Sequence, residues 1–150
     1  FVRVKGNLKG INVSDSASDG VDLDFSKIKV DKLVVSNSLN DCIDFSYGDY
    51  VIDVASLSDC GDKAISIGET SKIRLNKVNV KNSNIALAVK DNSDVEISNL
   101  NTIRSNYCIA MYRKKTEFSG AKLKVQKQNC NESNNFIDKG NIYINYDFQK

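Results

Sequence analysis

Five aspartates, Asp19, Asp22, Asp24, Asp41 and Asp44, lie close together in the chain. Asp19 and Asp41 are 22 residues apart, as are Asp22 and Asp44. Carboxylates held side by side repel unless a cation bridges them or one keeps its proton. Hard oxygen ligands in such a cluster suit Ca²⁺. The competing reading is that they are solvated turn residues, with Lys27, Lys29 and Lys63 nearby. A second set is basic and aromatic: Lys90, Tyr112, Arg113, Lys114 and Lys115, with Glu117 in the same loop, and with Asp22 and Asp44 it forms the candidate ligand-binding set. Such cations can meet carboxylate or sulfate groups on a polysaccharide, and Tyr112 can stack on a ring. Alternatively, the lysines simply keep the surface soluble. The chain has no His, which excludes a Ser-His-Asp triad and any His-ligated metal. Acid–base work then falls to Asp41, Asp44, Lys63 or Lys90.

What must position these groups is a repeat. Shifted by 22 residues, the chain aligns Val21, Ile43, Ile65, Leu87 and Ile109, and two positions later Phe1, Leu23, Phe45, Ile67, Val89 and Met111. Gly20, Cys42, Ala64, Ala86 and Cys108 form a column of small residues. Leu8 with Val30 and Ile52, Ile11 with Leu33, and Val13 with Val35 extend the pattern. A one-residue slip near Tyr47–Tyr50 is undone before Ala64. The apolar residues alternate with period two, a strand signal, and no helical period persists. Units this short must stack to bury their faces. The repeat therefore predicts an all-β right-handed parallel β-helix of about six coils, one domain over 1–150. A formal charge of +2 over 150 residues argues against a nucleic-acid partner, and no apolar run is long enough to span a membrane.

Gly61-Asp62-Lys63-Ala64-Ile65-Ser66-Ile67-Gly68-Glu69, Ile85-Ala86-Leu87-Ala88-Val89-Lys90-Asp91 and Tyr112-Arg113-Lys114-Lys115-Thr116-Glu117-Phe118 resemble the right-handed β-helix repeat domains of bacterial multidomain proteins. Some of those domains accompany spore-coat-type kinase modules. The resemblance spans about residues 18–125 and implies a pectate-lyase-like fold, in which Asp clusters hold Ca²⁺ against an acidic sugar. The sequence departs from the pattern at Asn40-Asp41-Cys42 and at Thr116.

With like residues stacked, Asp22 and Asp24 point outward. The outward columns then run Asp44, Ser66, Ala88, Ala110 and Asp24, Ser46, Gly68, Lys90, Tyr112, from acidic through small to basic. The small residues offer a flat floor for a sugar ring or a partner. Residues 113–121 read as a loop insertion of about six residues, and 141–148 as a final strand. Phe1 opens in mid-coil, so the chain reads as a fragment or C-terminal module. Asn37, Asn40, Asn82, Asn84, Asn99, Asn101 and Asn106 suit turn ladders, and Phe25 and Phe45 suit the core. Cys42 and Cys108 share a column three coils apart, too far for a bridge, so free, partly buried thiols are expected. That leans toward a reducing compartment. Asn12-Val13-Ser14 and Asn131-Glu132-Ser133 match glycosylation acceptors.

Three functions follow. The first is a non-catalytic module that binds polysaccharide or scaffolds a neighbouring domain. The second is a pectate-lyase-like lyase, epimerase or hydrolase. The third is a stalk or homo-oligomerising element.

Overall fold

The computed structural model describes residues 1–131 and 133–149; Glu132, in the second glycosylation match, lies outside them. Ten strands follow one another: β1 (Lys5–Ser16), β2 (Val21–Asp24), β3 (Lys27–Ser38), β4 (Ile43–Ser46), β5 (Asp49–Gly68), β6 (Lys72–Lys90), β7 (Asp94–Tyr112), β8 (Lys122–Asn131), β9 (Asn134–Ile137) and β10 (Ile142–Asn145). All pairings are parallel, and the main order is β1-β3-β5-β6-β7-β8-β10. The chain is a parallel β-solenoid of about six coils, with no α-helix among the described residues. None of its helices is long and apolar enough to cross a membrane.

Each coil has three runs of extended chain, shown here for the second coil. A first run holds Ile28 and Val30 inward, a second holds Leu33 and Val35, and a third holds Ile43 and Phe45, all fully buried. Like residues stack as the repeat requires: Val21 on Ile43, Ile43 on Ile65, Ile65 on Leu87 and Leu87 on Ile109. Two corners per coil are closed by residues in the left-handed conformation. Asp15, Asn37, Asp59, Asn82 and Arg104 occupy one; Arg3, Phe25, Tyr47, Glu69 and Asp91 occupy the other. Asn and Asp tolerate that conformation best. Their side chains also link coils, with Asn37 donating to Asp15 at 2.7 Å and Asn82 to Asp59 at 2.7 Å.

The register irregularities fall where the repeat places them. Asp49 pairs with Lys72, 23 residues on, but Lys63 pairs with Ile85, 22 on. Asp94 pairs with Lys122, a step of 28 rather than the 22 from Lys72 to Asp94, so the insertion is six residues.

Three expectations need correction. Phe25 is half exposed, because it sits at a left-handed corner and not on a strand; its ring stacks on Tyr47, with centroids 4.6 Å apart. The final strand ends at Asn145, and a 3-10 turn over Tyr146–Gln149 replaces its second half. There Asp147 accepts the Gln128 N–H at 2.7 Å, satisfying a backbone donor on the last coil's edge. The cysteines are not free: Cys42 bonds to Cys60 and Cys108 to Cys130. Column-mates are indeed too far apart, but each bridge joins the start of one coil's third run to the second run of the next coil. The Cα separations there are 5.3 Å and 5.8 Å, within disulfide reach. Disulfides persist in oxidising compartments, which reverses the inference drawn from free thiols.

Candidate functional site

The third run of every coil forms one face, and it carries most of the residues singled out from the sequence. Asp22 stacks on Asp44, Asp44 on Ser66, Ser66 on Ala88 and Ala88 on Ala110. Lys63 Nζ contacts Asp41 at 3.2 Å and Asp62 at 2.5 Å. Burial opposes a charge on Lys63, but the bonds from Asp62 and Asp41 outweigh it and hold its pKa above the ordinary lysine value. Asp62 is the stronger counter-ion: despite partial burial, its pKa is lowered by Lys63 and Asn84. Asp41 is more deeply buried, and desolvation raises its pKa despite Lys63.

The aspartates divide rather than gather. Asp19 Oδ1 already accepts Asn40 Nδ2 at 2.7 Å and the Asp41 N–H at 2.9 Å, and Asp41 is committed to Lys63. Asp22 keeps a raised pKa through partial burial and the charges of Asp24 and Asp44. Among the described residues no three His, Cys, Asp or Glu side chains converge as metal ligands do. As placed, Asp19, Asp22, Asp24, Asp41 and Asp44 do not fit a Ca²⁺ cage.

The small-residue floor is closed. Ser66, Ala88 and Ala110 are at most 3% exposed. Lys90, 6% exposed, folds onto the coil below, with Nζ 2.7 Å from Ser66 Oγ. The Tyr112 phenol is half-buried, and burial raises its pKa. The structure thus puts Asp41, Asp44, Lys63, Lys90 and Tyr112 on one face, with Lys63 committed to Asp41 and Lys90 to Ser66. The 113–121 loop is pinned beside them. Asp91 Oδ1 accepts the Lys114 and Lys115 N–H groups at 2.7 and 2.9 Å, and Lys115 Nζ pairs with Glu69 at 2.6 Å. Arg113, Lys114 and Glu117 remain exposed on that loop.

Lys90 forms no salt bridge among the described residues. Burial lowers its pKa, and the charge of Asp44 only partly restores it. A folded-state pKa below the unfolded value costs stability while the lysine is protonated in both states. That penalty lifts as pH rises from the folded value toward 10.5. Lys90→Met, matched in volume, is therefore expected to raise stability by about 1 kcal/mol at neutral pH. Urea denaturation checks this; a lower midpoint for the variant contradicts the view of Lys90 as an uncompensated cation.

The open site lies elsewhere, on the face built by the first runs. A groove of about 770 Å³ crosses the coils there, lined by Lys29, Arg74, Lys124, Asn76, Gln126 and Tyr146 among others. Its lining comes from two outward columns. Lys29, Val51, Arg74, Glu96 and Lys124 stack along one. Asp53, Asn76, Ser98 and Gln126 line the bend into the second run, where Asn76 Nδ2 donates to Asp53 at 2.8 Å. Comparison by 22 residues misses this groove because it aligns each coil only with its neighbour. The missed signal is a hexapeptide in alternate coils: Lys27-Ile28-Lys29-Val30-Asp31-Lys32, Lys72-Ile73-Arg74-Leu75-Asn76-Lys77 and Lys122-Leu123-Lys124-Val125-Gln126-Lys127.

No family model, curated protein or solved structure matches the chain.

Proposed function

We propose that this chain is a non-catalytic module that binds a polysaccharide lengthwise in the first-face groove, in support of a neighbouring domain. The observation that carries this reading is the groove itself, open and about 770 Å³ in volume, lined by amide and hydroxyl groups and by three cations, with Asp53 and Glu96 among them. Asn76, Ser98 and Gln126 supply donors and acceptors for sugar hydroxyls. Lys29, Arg74 and Lys124 supply partners for acidic substituents, and the exposed Tyr146 offers a ring face at the end. The two disulfides accord with an oxidising, extracellular setting in which such polymers occur.

Titration calorimetry against neutral and acidic glycans tests the proposal. Asn76→Ala combined with Gln126→Ala is expected to weaken binding by about tenfold. Failure to bind any glycan, or binding that ignores these changes but depends on Lys114 and Lys115, rejects the groove.

A second reading, catalysis on the third face, is favoured by one observation: Asp41, Asp44, Lys63 and Lys90 come together there. It requires turnover of a bound glycan that Lys90→Met abolishes.

A further inference from the structure

The three hexapeptides occupy the second, fourth and sixth coils, so the first face is banded. Lys27 and Lys29 form one band, Lys72 and Arg74 a second, and Lys122 and Lys124 a third, with Lys32, Lys77 and Lys127 just past the bend on the second run; Lys29, Arg74 and Lys124 line the groove itself. The intervening coils place Asp49, Val51 and Val54, then Asp94, Glu96 and Asn99, at the same register positions. Of the nine cations, only Lys27 and Lys124 form salt bridges among the described residues, with Asp49 at 3.1 Å and Glu96 at 2.9 Å. Both pairs are partly exposed and open at little cost. Cross-coil pairing explains why unlike charges alternate. It does not explain why Lys29, Lys32, Lys72, Arg74, Lys77, Lys122 and Lys127 outnumber the carboxylates between them.

Adjacent coils are one strand spacing apart, so successive basic bands are separated by roughly 10 Å. That is close to the length of one disaccharide in an extended chain. Resting on the groove as the glycan site, we infer that its ligand is an acidic polysaccharide with one anionic group per disaccharide, each group meeting one basic band. The unmodified sugar between two anionic groups then lies over Val51 or beside Glu96, and its hydroxyls face Asp53 and Ser98. A polymer with a carboxylate on every sugar brings alternate charges against Asp49, Asp94 and Glu96, where like charges repel. A nucleic-acid strand meets the same repulsion, and the groove lining has only Tyr146 to stack a base.

The test compares three probes on the intact chain: hyaluronan, which alternates a uronate with a neutral sugar; polygalacturonate, charged on every sugar; and neutral dextran. Hyaluronan is expected to bind about tenfold more tightly than either of the others. Arg74→Gln is expected to lose about tenfold of that affinity, whereas Glu96→Gln with Asp94→Asn should selectively improve polygalacturonate binding. All these positions are exposed or paired only at the surface, and an unchanged melting temperature verifies the fold of each variant. If polygalacturonate binds as well as hyaluronan, the charge spacing is overturned while the glycan groove stands. If dextran binds equally, the bands have no role. If no probe binds, or single-stranded DNA displaces hyaluronan, both inferences fall. Loss of a dimer on Arg74→Gln, seen by light scattering, instead makes this face a contact between copies and overturns the proposal.

Discussion

Reducing the two disulfides is expected to unfold the solenoid, or bring it to the edge of unfolding, at moderate temperature. Cys42–Cys60 closes a separation of 18 residues and Cys108–Cys130 one of 22. By chain-entropy arithmetic, loops of that size are each worth about 3 kcal/mol through restriction of the unfolded chain. Together they account for a large share of the roughly 5–15 kcal/mol that holds a domain of this size folded. The coil-to-coil geometry adds to the effect. Each bridge ties the third run of one coil to the second run of the next, so it resists separation of neighbouring coils, the step by which a stacked array opens. Urea denaturation with and without dithiothreitol should show the midpoint collapse. Paired Cys42→Ser/Cys60→Ser and Cys108→Ser/Cys130→Ser variants should each show about half the loss. Four thiols reactive in the native protein purified without reductant, or unchanged midpoints, contradict the bridges.

Tyr50 carries the second large effect. Its ring is fully buried and lies 4.9 Å from that of Phe45. It covers Gly48 so closely that a Cβ there would come within 2.2 Å of the ring. The hydroxyl sits 2.7 Å from the Leu23 carbonyl oxygen and 3.0 Å from that of Ser46, donating to one at a time, and accepts the Ser26 N–H at 3.3 Å. Ser46 O also accepts the Phe25 N–H at 3.0 Å, so Tyr50→Phe chiefly strands the buried Ser26 N–H, and it is expected to cost about 2 kcal/mol. Burial also pushes the phenol's pKa up to about 12 from 10.0. The unfolded chain ionises first, so this contribution is intact below about pH 10 and is lost as pH climbs toward 12. The loss is on the order of 2–3 kcal/mol. Lys90 works in the opposite direction at lower pH, its penalty lifting by about pH 10.5, at the foot of this range. The comparison is therefore best made between Lys90→Met and the same variant carrying Tyr50→Phe. The gap between their urea midpoints should shrink between about pH 9 and about pH 12; a constant gap removes Tyr50 as the alkaline trigger.

The fold was legible because stacking imposes the same demand on every coil. Val21 and its column-mates had to be apolar, and Asp15 and Asn37 had to tolerate a left-handed corner. The slip and the six-residue insertion were legible for the same reason, since both displace whole columns. What escaped lay between columns. The cysteine partners sit on different runs of adjacent coils, so column spacing could only exclude Cys42 with Cys108. Phe25 has an apolar side chain but occupies a corner, where the backbone turns it outward. Lys90 stands at an outward position, yet its long side chain folds down onto Ser66, which a residue pattern does not encode. The candidate third-face cluster was found residue by residue, though the burial of Lys90 against Ser66 was not. The groove was missed because its hexapeptides recur every second coil.

That alternation has a consequence for how such a rod can lengthen or shorten over evolutionary time. Duplicating one coil alone sets Lys72, Arg74 and Lys77 directly against a second copy of themselves, with no acidic neighbour between. Duplicating two coils restores the alternation without altering any other position. Growth by coil pairs therefore preserves the charge alternation of these coils, whereas growth by single coils breaks it.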